Sequence, residues 1–267
     1  MTRIFVWLQY LLPQHLLSRL IGYFAASKIN WLKQGLIRIF AGVYRVDWQI
    51  AARQSPKEFV SFNDFFTREL LPGVRPISGA LCCPADGVVS AMGRITAGCA
   101  LQAKNHQYPI EALLGEALPE AFVDGSFLTI YLAPKDYHRV HFPAAGTLTH
   151  ARYVPGDLFS VNAATTEYVP GLFTRNERLV LHVNSSTSQY YLILVGAMIV
   201  AGIQPFWRET PFAARRPDEK AFIETIVEQG QEAGRFLLGS TAIIISDSRE
   251  PWRTDMGTTV KMGQALA

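Results

Sequence analysis

Phe127-Leu128-Thr129-Ile130-Tyr131-Leu132 decides the fold. A short run of apolar, aromatic and β-branched side chains reads as a buried strand rather than a helix. Outward from it the same texture recurs in Gly87-Val88-Val89, Leu179 to Val183, Tyr190 to Val195, Met198 to Ile203 and Ala242 to Ile245, with Gly and Pro between the runs. Ile110 to Leu118 and Ala221 to Ile226 read as short helices, and the polar stretch 208–220 as a mobile loop. Ser61-Phe62-Asn63-Asp64-Phe65-Phe66 reads as a capped, aromatic-rich helix start, set between turn signals at Ser55-Pro56 and Leu71-Pro72-Gly73. The class is α+β: a β-rich body with amphipathic N-terminal helices, divided at residues 1–50 and 51–267.

Charge separates the same two parts. Residues 1–46 hold six basic side chains (Arg3, Arg19, Lys28, Lys33, Arg38, Arg45) and no acidic one, so the rest, with 19 basic and 22 acidic, is slightly negative. Leu16, Leu17, Leu20, Ile21 and Phe24 share one helical face, and Ile29, Leu32, Leu36, Phe40 and Val43 another. No stretch reaches the roughly 18 apolar residues that span a bilayer. Apolar stripes, Trp7 and Trp31, and unopposed basic residues suit helices lying in an anionic membrane surface. Two other readings stay open: helices that dock on the body, and a signal peptide over residues 1–27.

The three cysteines, Cys82, Cys83 and Cys99, imply no disulfide framework and show no metal-ligand spacing, so the expectation is a reducing compartment and no metal. No feature of the chain implies a nucleic-acid partner.

Four segments could carry chemistry. Pro84-Ala85-Asp86-Gly87 sets an acid in a turn beside a strand. Asp136-Tyr137-His138-Arg139-Val140-His141-Phe142-Pro143 holds two histidines three apart, on opposite faces if extended and on one face if helical. Histidine suits general acid–base work near neutral pH. Pro155 to Asn162 could hold a phosphate on hydroxyl and backbone N–H groups around Ser160. Asn176-Glu177-Arg178 reads as a turn before a strand. In Leu238-Gly239-Ser240-Thr241, a Gly before a Ser at a strand entrance permits crowded backbone geometry.

These segments, with Phe62 to Arg68, Arg75-Pro76-Ile77 and Val195-Gly196-Ala197, resemble the phosphatidylserine decarboxylase family of the bacterial and mitochondrial type. The matching pieces span residues 62–241, about two-thirds of the chain. The resemblance implies a proenzyme that cuts its own Gly239-Ser240 bond, leaving a large chain of residues 1–239 and a small chain of 240–267 as a heterodimer. Asp86, His141 and Ser240 correspond to the self-cleavage triad: His141 takes the Ser240 hydroxyl proton and Asp86 fixes the imidazole tautomer. Ser240 attacks the Gly239 carbonyl, elimination releases the large chain, and residue 240 becomes a pyruvoyl group. That ketone forms a Schiff base with the substrate amine and accepts the electron pair left by carbon dioxide. His138 handles the substrate carboxylate or proton, and Ser160 with its neighbouring amides holds the phosphodiester.

The resemblance further implies phosphatidylserine as substrate, phosphatidylethanolamine as product, a homo-oligomer, and a peripheral site on the cytoplasmic side of the cell membrane. One departure stands out: Gln229 occupies the place where many relatives carry Lys in the run before the cleavage block. A membrane-associated Ser hydrolase or acyltransferase using Ser240, His141 and Asp86 is the alternative reading, although the Gly-X-Ser-X-Gly elbow is absent.

Overall fold

The computed structural model describes residues 2–103, 106–198, 202–212, 217–237 and 240–267. Its helices are α1 (Thr2–Leu11), α2 (Gln14–Ala25), α3 (Asn30–Tyr44), α4 (Phe62–Phe66), α5 (Ile110–Leu114), α6 (Ala163–Tyr168) and α7 (Leu172–Arg175). Its strands are β1 (Gly87–Arg94), β2 (Cys99–Ala103), β3 (His106–Pro109), β4 (Ser126–Leu132), β5 (Arg139–His141), β6 (Gly146–Val154) and β7 (Arg178–Asn184). They continue as β8 (Gln189–Val195), β9 (Ile203–Pro205), β10 (Glu219–Val227), β11 (Glu232–Phe236), β12 (Ser240–Ser246) and β13 (Thr259–Val260).

An antiparallel sheet of eight strands, in the order β10-β6-β7-β8-β12-β4-β1-β13, forms the body. Its central strands are apolar on both faces because both faces are covered. Leu179, Leu181, Leu192, Leu194, Ala242 and Ile244 point into one core, roofed by the three-stranded sheet β5-β11-β9. Val180, Ile193, Val195, Ile243 and Ile245 point into the other, beneath β2, β3 and helices α5 to α7. Alternation at period two then turns a continuous apolar run into two cores. Fully burying one such Leu or Ile contributes about 1.5–3 kcal/mol.

Two expected helices differ from what is observed. Residues 221–226 belong to β10, an edge strand. Its exposed Phe222 and Ile226 lie four apart and imitate a helical stripe, whereas the true period is two, with Ile223 packed on the core. Residues 219 and 220, expected in a loop, open that strand; of the rest of that loop, 213–216 lie outside the described residues. A bulge between Phe222 and Thr225 accommodates Glu224 at φ 44°. The second helix stops at Leu114, where Gly115 caps it in the left-handed region at φ 74°. The run from Met198 to Ile203 is described only at its ends, residues 199–201 lying outside the described residues; Ile203 begins β9.

The N-terminal helices pack on the body by apolar as well as polar contacts. Lys33, counted above as a lipid-facing cation, is buried, and its ammonium donates to the Phe59 carbonyl at 2.5 Å. Phe40 stacks edge-on against Phe62, Phe65 and Phe66, which ties α3 to α4. Ser61 caps α4 by accepting from the Asp64 N–H at 3.2 Å. Trp7, Leu11, Leu16, Tyr23, Trp31 and Ile39 remain exposed. Among the described residues no helix is long and apolar enough to cross a membrane.

Candidate active site

The chain passes from the small sheet to the large one between residues 236 and 240. The Phe236 N–H donates to the His138 carbonyl at 3.0 Å, the Leu237 N–H to the Gly202 carbonyl at 3.1 Å, and Ser240 opens β12 opposite Leu132. Residues 132–138 therefore flank both ends of the expected cleavage segment. Leu238 and Gly239 themselves lie outside the described residues.

His138 is fully buried against the Phe66 ring, with centroids 3.9 Å apart. Its Nδ1 lies 2.8 Å from the Asp136 carbonyl oxygen. A carbonyl only accepts, so Nδ1 carries the hydrogen and Nε2 is a bare lone pair. That Nε2 is buried and has no hydrogen-bond partner. Burial, helped by the Arg68 cation, pushes the imidazole pKa down to about 3, which keeps it neutral. Arg68 explains why the Phe62–Arg68 segment matters here: it reaches 67 residues along the chain to donate to the Lys135 carbonyl at 2.9 Å, fixing the turn that presents His138.

His141 follows on the next turn of the strand alternation, facing away from the side taken by Val140. Its Nδ1 is 2.8 Å from the Gly230 carbonyl, so Nε2 accepts, and the Tyr137 hydroxyl donates to it at 2.9 Å. Burial lowers its pKa. The carbonyl of Gly230 is thus the group that holds the hydrogen on His141 Nδ1. The Asp86 carboxylate is engaged elsewhere: it accepts from Arg75 Nε at 2.9 Å and Nη2 at 2.5 Å, from the Met262 N–H at 2.9 Å, and faces Lys261 at 3.4 Å. It still contributes to the field at His141, favouring the charged imidazole. The Pro84 carbonyl, which accepts the His141 N–H at 2.8 Å, joins the two segments.

Ser160 is tied to α1. Its N–H donates to Gln9 Oε1 at 2.9 Å, the Phe159 N–H to Asn176 Oδ1 at 2.9 Å, and the Leu158 N–H to Gln14 Oε1 at 2.7 Å. The amides of Leu158, Phe159 and Ser160 are all satisfied by side chains, two of them from the N-terminal helices. Gln229, at the position where Lys is usual, donates to the Gly79 and Pro143 carbonyls at 3.0 and 3.1 Å and closes a turn.

Asn176-Glu177-Arg178, read above as a turn, is a buried polar knot. Asn176 donates to the Phe159 and Gly196 carbonyls, both at 2.8 Å. Arg178 donates to the carbonyls of Ala112, Leu113, Thr174 and Asn176, and burial lowers its pKa to about 10. Glu177 is buried and accepts from the Tyr153 hydroxyl at 3.0 Å, and burial lifts its pKa to about 7. An acid inside the entry to an apolar strand was the only signal in the sequence for this residue.

Among the described residues no group of three or more His, Cys, Asp or Glu side chains is placed to hold a metal ion.

A family model described as phosphatidylserine decarboxylase matches residues 62–267, and a second, described as PSD, matches residues 4–45. A phosphatidylserine decarboxylase proenzyme of Saccharophagus degradans is 45% identical over 277 residues, covering 99% of this chain and 96% of the relative. Those of Pseudomonas fluorescens and Pseudomonas aeruginosa are each 46% identical, with the same 99% and 96% coverage. The chain belongs to the phosphatidylserine decarboxylase family.

Proposed function

We propose that this chain is a carboxy-lyase that converts phosphatidylserine to phosphatidylethanolamine and carbon dioxide, after cutting itself between Gly239 and Ser240. The observation that carries this reading is the meeting of the histidine block with the cleavage segment, by way of the Phe236–His138 backbone bond and the Ser240–Leu132 pairing. A pyruvoyl group formed from Ser240 supplies the electron sink that an amino-acid decarboxylation needs.

The chain's own residues supply the rest. Ser240 is the nucleophile of the self-cleavage. His141, with Nδ1 held by Gly230, presents Nε2 as the base once the Tyr137 hydroxyl gives way, and Asp86 favours the imidazolium that results. His138 presents a buried lone pair, suited to accepting a hydrogen bond from the substrate's amine, while its lowered pKa keeps the imidazole from taking the proton itself. Ser160 contributes its hydroxyl to the phosphodiester, since its amide is already taken.

The membrane reading rests on the apolar groove between α2 and α3. It is lined by Ile21, Phe24, Leu32, Leu36, Phe40 and Val43 and encloses about 570 Å³. With exposed Trp7 and Trp31 and the acid-free basic segment, it suits docking of residues 1–50 on an anionic bilayer, as a peripheral protein of the cytoplasmic face. The β-rich remainder, 51–267, carries the chemistry, and a homo-oligomer accords with the family reading. Carbon dioxide release from phosphatidylserine vesicles tests the activity: Ser240→Ala should abolish it. Full release by Ser240→Ala would refute the reading.

A further inference from the structure

His138 leaves the reaction one group short. With its hydrogen on Nδ1 and that hydrogen spent on Asp136, its neutral Nε2 can accept a hydrogen bond but has no proton to give. The carbon that loses carbon dioxide must gain a proton, so the site needs an acid as well.

The large sheet supplies one. Thr241 faces Val195, and Arg178 faces the same Val195 from the other side. β7 and β8 end there; one residue further along the Gly196 N–H still donates to the Glu177 carbonyl at 2.9 Å, and extending the β8–β12 register by that residue sets Gly196 opposite residue 240. Residue 240 in turn faces Leu132. Continued one residue past the ends of β7 and β8, this register sets Glu177, Gly196, residue 240 and Leu132 in one row. Directly opposed residues share a face of a sheet. Leu132, Leu179, Leu194 and Ala242, which share that parity, all belong to the core that faces the small sheet. The row therefore lies on the side of the body where β5 and β11 sit.

Gly196 is what connects its ends. A Cβ built there would lie 3.0 Å from Glu177 Cγ and 3.2 Å from Glu177 Oε1. The carboxyl occupies the space a side chain at 196 would fill, and position 240 adjoins that space at the usual cross-strand spacing of about 5 Å. The other carboxyl oxygen is held by Tyr153, whose ring is stacked on Phe212.

We infer that Glu177 is a catalytic acid of the decarboxylation, delivering its carboxyl proton to the substrate α-carbon after carbon dioxide leaves. This rests on the reading that residue 240 becomes the ketone. The raised pKa keeps a good fraction of the acid protonated at neutral pH, and the Tyr153 hydroxyl stabilises the carboxylate it leaves behind. The electron pair left by carbon dioxide is shared between the substrate α-carbon and the residue-240 carbon. A proton on the α-carbon, followed by hydrolysis, returns the ketone and releases phosphatidylethanolamine. A proton on the residue-240 carbon, followed by hydrolysis, leaves the amine on residue 240, now alanine, and releases the lipid as an aldehyde.

The test is Glu177→Gln, with the N-terminus of the small chain followed during turnover on phosphatidylserine vesicles. The variant should still cut between 239 and 240 and still form a ketone trapped by borohydride and an amine. Its steady turnover should fall about 100-fold or more, and its small chain should become sequenceable with alanine at position 240. Glu177→Asp, with the acid drawn back, should show a smaller loss and the same alanine. Infrared spectra of the uncut Ser240→Ala chain give a readout apart from activity: a carboxylic-acid band titrating near neutral pH, lost in the Ser240→Ala, Glu177→Gln double variant. Wild-type turnover by Glu177→Gln with residue 240 still blocked would overturn the inference, as would failure of either Glu177 variant to cut or absence of the band. A wild-type chain that never cuts would instead sink the function on which the inference rests.

Discussion

The backbone of Phe236 is hydrogen-bonded to the backbone of His138, N–H to carbonyl, at 3.0 Å. Four residues later the same chain is paired with Leu132 in a different sheet. The residues on either side of the expected cleavage segment are thus both held by one stretch of chain, residues 132–138.

Phe66 packs directly on His138 and is 1% exposed. Phe66→Ala should cost about 3–5 kcal/mol of stability through the cavity it leaves. Water entering beside the imidazole should relieve its desolvation and raise its pKa. Thermal unfolding and histidine NMR titration of the uncut Ser240→Ala background check both effects, and an unchanged His138 titration would show that packing does not govern it.

Stability should fall on the acid side for a nameable reason. His138 and His182 have folded pKa values of about 3 and about 4, below the ordinary 6.5. Between those values and 6.5 the unfolded chain binds protons that the folded chain refuses, so stability is full above 6.5 and is lost as pH falls. His182→Gln should flatten part of that slope in urea unfolding of Ser240→Ala. Glu177 acts in the opposite sense: its pKa is raised from 4.5 to about 7, so its contribution is lost as pH rises through that window. Glu177→Gln should therefore gain in relative stability from pH 5 to pH 8, and a constant difference across that range would contradict the assignment.

Arg178 spends its buried guanidinium on four backbone carbonyls. Arg178→Met leaves them without a donor. The expected loss is about 3 kcal/mol or more, read as a lowered urea midpoint with an unchanged slope. A loss below about 1 kcal/mol would mean that water replaces the guanidinium.

Trp31 and Ile39 are 76% and 68% exposed on α3, away from the buried Lys33. Trp31→Ser together with Ile39→Ser should weaken partition onto anionic vesicles by at least about 10-fold, from the apolar area no longer buried in lipid. Cutting at 239–240 should be unaffected. Unchanged vesicle binding would remove these residues from the membrane-facing surface.

The sequence made the central strands legible, because runs such as Tyr190 to Val195 are apolar on both faces and nothing but a covered strand suits them. It misled at β10, where Phe222 and Ile226 are exposed on a half-solvated edge and happen to lie four apart. The small sheet was not legible at all: β5 and β9 are three residues each, too short to show a period. At the site, the histidine block and the Gly-Ser block were readable as local words. The partners were not. Asp86 pairs with Arg75 and the Met262 amide rather than a histidine, and the place of Glu177 depends on which strands lie side by side. Such relationships arise from topology, which no local pattern encodes.

Intact-mass analysis of the purified wild-type chain tests the central claim most directly. The account predicts two polypeptides, residues 1–239 and 240–267, the smaller with a blocked first residue that borohydride and an amine trap, and a single uncut chain for Ser240→Ala. One full-length mass from active wild-type enzyme would contradict it.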